Sequence, residues 1–397
     1  MSSGDLWVFI MSKKAATSST SADKPILVTG SSGHLGANLV RTLLSQGKKV
    51  RVLLRRGSNN SALEGLEVDR VFGDLRQTET LVPALEGCDY VYHCAAVVST
   101  LYGTPALKRE IFESNVVGTR NLLQVAKKQG VKRVVVSGSL SATGYDLDDP
   151  AKATDESWPF YPFQRPMPYE VSKSLVELEC LKACAEGLDV VIATSCAILG
   201  PNDYKPSRMG KTLCDFAQGK LRAYIPGGFE FVAAKDIVQG HILAMEKGRS
   251  GQKYTISTRF VTVDELMEIF ERVTGHPKPK LRMPPQLMAA VAEVTAFAQT
   301  YLLPKSSPRL TPGAIRILRK QRHTSTQKAQ SELGYKPSSI EDAVREAYED
   351  FIRRGLIPGK SASSRSAQAS VQPAPSAPQP NGAAKPANKG QNAALRS

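Results

Sequence analysis

The sequence predicts an α/β fold: a doubly wound parallel sheet followed by a smaller, mostly helical C-terminal domain. Three observations carry this. Short apolar runs alternate with stretches of helical spacing from residue 26 to residue 193. Those runs are continuous in Val, Ile and Leu, as strands buried on both faces require. After residue 200 the alternation loosens into helical segments separated by Gly/Pro turns.

Ile26-Leu27-Val28-Thr29 is the first strand and ends in glycine. Leu35 to Gln46 has helical spacing and stops at Gly47. Lys49 to Leu54 is the second strand and Val68 to Phe72 the third. Leu81 to Leu85 is a short helix, and Tyr90 to His93 the fourth strand. Phe112 to Gln129 reads as one long helix ending at Gly130. Val134 to Val136 is the fifth strand. Tyr169 to Ala185 is a second long helix, stopped at Gly187, and Val190 to Ala193 is the sixth strand. Gly200-Pro201-Asn202-Asp203 and Pro226-Gly227-Gly228 are turns, and helices return near 209–218, 236–247, 263–274 and 339–355. Residues 1–24 are rich in Ser, Thr, Ala and Lys and are expected to be a disordered extension. Residues 25–199 form the sheet domain and 200–357 a cap, part of which returns to the sheet. Residues 358–397 hold almost no large apolar side chain and are expected to be a disordered tail.

The 397 residues are 41% hydrophobic and 22% charged, which excludes collagen-like, coiled-coil and wholly disordered chains. The net charge is +15, but the excess is local. The tail has five Lys/Arg and no acid, and residues 305–328 have seven and no acid. The rest of the chain is close to neutral, which argues against a nucleic-acid partner. The six cysteines form no Cys-x-x-Cys pair and the five histidines are scattered, so no metal site is expected. Free thiols in apolar contexts suit a reducing, cytoplasmic compartment. The run Leu6–Met11 is too short and follows Asp5, so it makes a poor signal peptide; no apolar stretch is long enough to span a bilayer. Gln286 to Leu303 is an apolar helix broken by Glu293 and Gln299 and followed by the basic run. It either makes weak contact with an anionic membrane surface or is a cap helix with a solvated basic edge.

Thr29-Gly30-Ser31-Ser32-Gly33-His34-Leu35-Gly36 joins the first strand to the first helix. Glycines there allow a tight turn and bring backbone amides to a pyrophosphate at a helix N-terminus. Strand before and helix after make this a Rossmann dinucleotide site, with Thr29, Gly30, Ser32, Gly33, His34, Leu35 and Gly36 as its contacts. The second strand ends in Arg55-Arg56, where an NAD site places an acid. Arginine fits a 2′-phosphate, so NADP(H) is the expected cofactor and NAD(H) the alternative; a solvated basic pair is the bland reading. Asp74, followed by Leu75, stands where an acceptor meets the adenine amino group. Ala95 and Ala96, after the fourth strand, leave room for a cofactor to lie close. Ser137 and Ser139 end the fifth strand at the ligand-binding edge. On a helix, Tyr169 and Lys173 share a face, and a cation beside a phenol is expected to lower its pKa from about 10. That would make Tyr169 a usable acid/base.

The chain resembles the extended short-chain dehydrogenase/reductase family. The matching residues are Thr29 to Gly36, Gly73-Asp74-Leu75, Asn115 to Thr119, Ser139 and Tyr169-x-x-x-Lys173, in the family's order, with later echoes at Gly200 to Asp203, Phe231 to Asp236 and Glu332 to Pro337. It looks closest to the branch of dihydroflavonol reductases and 3β-hydroxysteroid dehydrogenases. The resemblance implies Tyr169 as acid/base, Lys173 on the nicotinamide ribose, Ser139 orienting a carbonyl, Asn115 supporting a proton relay, and a homodimer through the helices starting near Asn115 and Tyr169. Ser195, near the expected carboxamide, stands where the branch usually has proline.

Three classes compete on this scaffold: a ketone/alcohol oxidoreductase, a nucleotide-sugar epimerase or dehydratase, and a non-catalytic dinucleotide sensor. Leu140-Ser141-Ala142 after Ser139 lacks the acidic pair of the dehydratases, and the retained Tyr/Lys pair argues against a sensor. Phe160, Tyr161, Phe163, Met209, Phe216, Tyr224, Phe229 and Phe231 supply apolar groups for a substrate pocket or, equally, for the cap's own core.

Overall fold

The computed structural model describes residues 24–146, 148–149, 151–160, 166–284 and 311–358. The expected N-terminal extension up to residue 23, the tail from 359, Tyr161 to Phe163 and the segment 286–303 lie outside the described residues.

Seven parallel strands form the central sheet, in the order β10-β6-β5-β4-β1-β2-β3. They are β1 (Ile26–Thr29), β2 (Val50–Leu54), β3 (Asp69–Phe72), β4 (Tyr90–His93), β5 (Arg133–Ser139), β6 (Val190–Ser195) and β10 (Lys253–Ile256). The chain reverses direction across the sheet between β1 and β4, which are neighbours. Such a switch point opens a crevice at the carboxyl ends of the strands. On one face α1 (His34–Ser45) and α7 (Ala234–Lys247) cover the sheet. Leu39, Val40 and Leu43 meet Val28 and Val52 there, while Ile237 and Ala244 meet Val191 and Tyr254. On the other face lie α2 (Val82–Leu85), α4 (Gly118–Lys128) and α5 (Pro168–Ala185), where Leu122, Leu123 and Val176 pack on Val91, Val134 and Val136. Burial on both faces is why these strands read as unbroken apolar runs.

The expected helix 112–129 starts earlier. α3 (Pro105–Ile111) is capped by Thr104, and a π-helical segment, Phe112–Val117, joins it to α4. One wide turn of this kind redirects side chains, and here it aims Asn115 inward.

The cap holds α6 (Arg208–Ala217), α8 (Val263–Thr274), α9 (Pro312–Lys320) and α10 (Ile340–Arg353), but also strands that the loosened pattern hid. β7 (Ala197–Leu199), β9 (Gly228–Ala233) and β11 (Arg259–Thr262) make a three-stranded sheet, and β8 (Ala223–Tyr224) pairs with β12 (Leu281–Arg282). Phe216, Phe231, Phe270 and Phe351 fill the cap's own core with Leu213, Val261 and Val344. Two of the aromatic residues considered for the pocket, Phe216 and Phe231, are thus structural.

Candidate functional site

A cleft of about 280 Å³ runs along the carboxyl ends of β1, β2 and β4, lined by Thr29, Gly30, Ser32, Gly33, Leu54, Arg55, Asp74, Leu75, Ala95 and Ala96 among others. Gly30 has φ of +68°, and a Cβ there would lie 2.6 Å from the Ala95 nitrogen. Any other residue would be strained and would push the turn off the 94–95 backbone. A Cβ on Gly36 would meet the Gly30 oxygen at 2.2 Å, so Gly36 allows α1 to approach the turn and does not face the cleft. Leu35 is buried in the core beneath. Gly33 caps α1, whose first turn holds no acid, so its amide end is open to an anion. The His34 ring turns away and donates to the Pro201 carbonyl at 3.0 Å, and His34 is not among the residues that line the cleft.

At the other end of the cleft the Arg55 guanidinium makes no hydrogen bond or ion pair among the described residues. Arg56 instead lies over the Phe72 ring at 5.2 Å, in an adjoining cleft with Arg76. Asp74 is held bidentately by Arg76, at 2.9 and 2.6 Å, and this pairing keeps its carboxyl below the usual range. The residues present therefore fit a dinucleotide: a Gly-rich turn open at a helix N-terminus, small residues at Ala95 and Ala96, and a free cation where the adenosine ribose would end.

A buried hydrogen-bond chain fixes this edge. Thr119 Oγ1 donates to the Asn115 carbonyl at 2.6 Å, so it accepts from His93 Nε2 at 2.8 Å. His93 Nδ1 then accepts from Thr29 Oγ1 at 2.7 Å. Burial and the Lys173 charge push the His93 pKa down to about 3, so the ring stays neutral and structural. The Asn115 side chain accepts from the Val97 amide at 2.7 Å and donates to the Val97 carbonyl and to Ser172 Oγ, both at 3.0 Å. It ties the segment after β4 to α5, and these bonds do not include Tyr169 or Lys173.

Ser139 ends β5, and Tyr169 opens α5, where Pro168 occupies the first turn and Glu170 accepts from the Met167 amide. Ser139 and Tyr169 face the same cavity, and the Ser139 hydroxyl is close enough to influence the phenol's titration. It also pairs with Ser141 Oγ at 2.7 Å, a neighbour the motif did not flag. Lys173 is buried, its ammonium donating to the Ser137 carbonyl at 2.8 Å. The Ser137 hydroxyl meets His241 Nε2 at 2.8 Å. Burial lowers the Lys173 pKa to about 8. The expected lowering at Tyr169 is not what the geometry gives. Burial raises the phenol's pKa, and the opposing influence comes from the Ser139 hydroxyl. The Lys173 ammonium is engaged with the Ser137 carbonyl, and desolvation decides the direction at Tyr169.

Tyr169 and Ser139 stand on the wall of a second cavity of about 430 Å³. Its lining is mainly apolar, with Met167, Met209, Phe229, Ile317 and Leu318; Ser195 and Ser141 add hydroxyls, and Glu170, Glu230, Arg208, Arg316, Lys320 and Arg322 line it as well. Val97 lines the first cleft and Val98 this one, so the two adjoin along the 95–98 segment. Three cations of the basic run thus face the cavity. Arg316 pairs with Glu170 at 2.6 Å, and Lys320 bonds Tyr145.

A model of the NAD dependent epimerase/dehydratase family matches residues 26–257. The chain is 41% identical over 331 residues to sterol demethylase protein B of Methylococcus capsulatus, covering 83% of this chain and 99% of that protein. It is 24% identical to human sterol-4-alpha-carboxylate 3-dehydrogenase, decarboxylating, over 83% of this chain and 88% of the relative. The crystal structure of gox2253 superposes with a TM-score of 0.72 at 30% identity, over 84% of this chain and all of that one. The chain belongs to the NAD dependent epimerase/dehydratase family, within the extended short-chain dehydrogenases/reductases, and is an oxidoreductase of that family.

Proposed function

We propose that the protein interconverts a ketone and a secondary alcohol on an apolar, sterol-like substrate, with NADP(H) as hydride partner and Tyr169 as proton donor and acceptor. One observation carries the reading: Ser139 and Tyr169 stand together on the wall of an apolar cavity that begins where the nucleotide cleft ends. A bound nicotinamide supplies or accepts the hydride. Ser139, already paired with Ser141, offers its hydroxyl to the substrate oxygen. Tyr169 gives that oxygen a proton on reduction and takes it back on oxidation. Its raised pKa keeps it protonated at neutral pH, which suits the reductive direction. Lys173 extends from one turn further along α5 and holds the Ser137 carbonyl, fixing the strand end that carries Ser139. Arg55 would take the 2′-phosphate. The predominantly apolar lining of the cavity suits a steroid body. Two sterol-acting relatives point the same way.

A homodimer belongs to this reading. α5 exposes Leu178 and Leu181, each 45% accessible, on a surface that a second copy would cover.

The test is NADPH oxidation by the full chain against 3-keto sterols, sterols carrying an acidic group, short ketones and UDP-sugars. Turnover with sterol ketones and none with sugars is expected. Sugar isomerisation without net cofactor change would overturn the proposal.

A further inference from the structure

We propose that Lys205, in the loop between β7 and α6, works with Arg55 as a two-cation clamp for the cofactor's 2′-phosphate, so that the cap supplies part of the nucleotide site. The inference rests on the NADP(H) reading above and adds to it a residue from outside the nucleotide-binding half.

The loop is built to hold its position. The Pro201 carbonyl accepts from His34 Nε2 at 3.0 Å and from Asn38 Nδ2 at 2.9 Å. Asn202 donates its side-chain amide to Asn38 Oδ1 at 3.0 Å, and Arg41 donates to the Tyr204 hydroxyl at 3.0 Å. His34, Asn38 and Arg41 are spaced i, i+4, i+7, so one face of α1 is devoted to this loop. From the other side, Asp350 accepts from the Asn202 amide at 3.0 Å, and Arg354 donates to the Asp203 carbonyl at 3.0 Å. Asn202 has φ of 61°, a left-handed conformation that asparagine tolerates better than most residues. Asp203 accepts from the Ser207 amide at 2.7 Å, just before α6.

Held in this way, Lys205 reaches across the Gly-rich turn. Its ammonium lies 3.4 Å from Ser32 Oγ, at the outer limit of a hydrogen bond, and lines the same cleft as Arg55. The one acid lining that cleft, Asp74, is occupied by Arg76. Two cations therefore line one cleft whose one acid already has a partner in Arg76. Their mutual repulsion is felt: burial and the Arg55 charge both depress the Lys205 pKa. A phosphate dianion bound between them would turn that repulsion into two charge-assisted contacts.

The experiment is equilibrium binding of NADPH, NADH, 2′,5′-ADP and 5′-AMP to wild type, Lys205→Ala and Lys205→Arg, read by fluorescence or calorimetry. Loss of one charge-assisted contact should weaken NADPH and 2′,5′-ADP roughly tenfold in Lys205→Ala. NADH and 5′-AMP should change less than about twofold, and Lys205→Arg should restore most of the loss. Lys205 is exposed, so the melting temperature should not move. Unchanged NADPH binding, or equal weakening of NADPH and NADH, would overturn the clamp. A wild type that binds NADPH and NADH alike would instead remove the NADP(H) reading, and the clamp with it.

Discussion

Lys173 carries a charge at neutral pH against a desolvation penalty. Its pKa falls from 10.5 to about 8 because the ammonium is buried with one carbonyl partner. The unfolded chain binds the proton more tightly, so the penalty is full below pH 8 and fades as pH rises to 10.5. The shift corresponds to about 3 kcal/mol. Lys173→Met removes both the charge and the Ser137 contact. It should melt higher than wild type at pH 7, by about 1–3 kcal/mol of stability, while turnover falls. That advantage should shrink between pH 8 and 10.5, which differential scanning fluorimetry across pH would follow; a variant less stable than wild type at pH 7 contradicts the account. Tyr169→Phe deletes only the transferable proton. Turnover should drop by roughly 10²–10⁴-fold while NADPH affinity, by titration, stays within about twofold. His93→Ala would leave the Thr29 hydroxyl without its acceptor in a buried site and take one donor from Thr119, which keeps its bond to the Asn115 carbonyl. A loss of about 2–3 kcal/mol in urea unfolding is expected, with NADPH binding weakened because the Gly-rich turn loses its anchor.

At the scale of elements, the strands and the helices around the Gly-rich turn were legible because burial on two faces and glycine stops leave strong local marks. The Gly30 turn and the Tyr169/Lys173 helix face followed from spacing alone. What stayed hidden was non-local. The π-helical segment around Asn115 has no sequence mark separating it from an ordinary helix. The strands β7, β9 and β11 are short and pair across the cap. His93 as a bridge between Thr29 and Thr119, Ser141 behind Ser139, and Lys205 over the turn depend on contacts between distant stretches. α9 was not foreseen as a helix, yet Arg316 on it makes a 2.6 Å pair with Glu170 at the start of α5, linking the cavity wall to the helix that carries Tyr169 and Lys173. Arg316→Ala leaves the nearly buried Glu170 without its cation. It should cost about 1–3 kcal/mol and raise KM for the apolar substrate more than it lowers kcat. Steady-state kinetics beside thermal melts would separate the two effects; an unchanged KM would detach α9 from substrate binding.

Over the described residues the molecule places chemistry at one edge of one sheet. The parallel sheet presents the turn, the two serines and the Tyr/Lys helix at the carboxyl ends of its strands, and the cap supplies an apolar chamber over them. No helix among the described residues is long and apolar enough to cross a membrane. If α5 is the dimer face, light scattering should give twice the chain mass, and Leu178→Glu with Leu181→Glu should give monomers. The most direct test of the central claim is the fate of label from NADPH deuterated at nicotinamide C4, followed by mass spectrometry with a 3-keto sterol. The account predicts deuterium on the carbinol carbon of the product with wild type and almost none with Tyr169→Phe. Turnover with no deuterium in the product would contradict it.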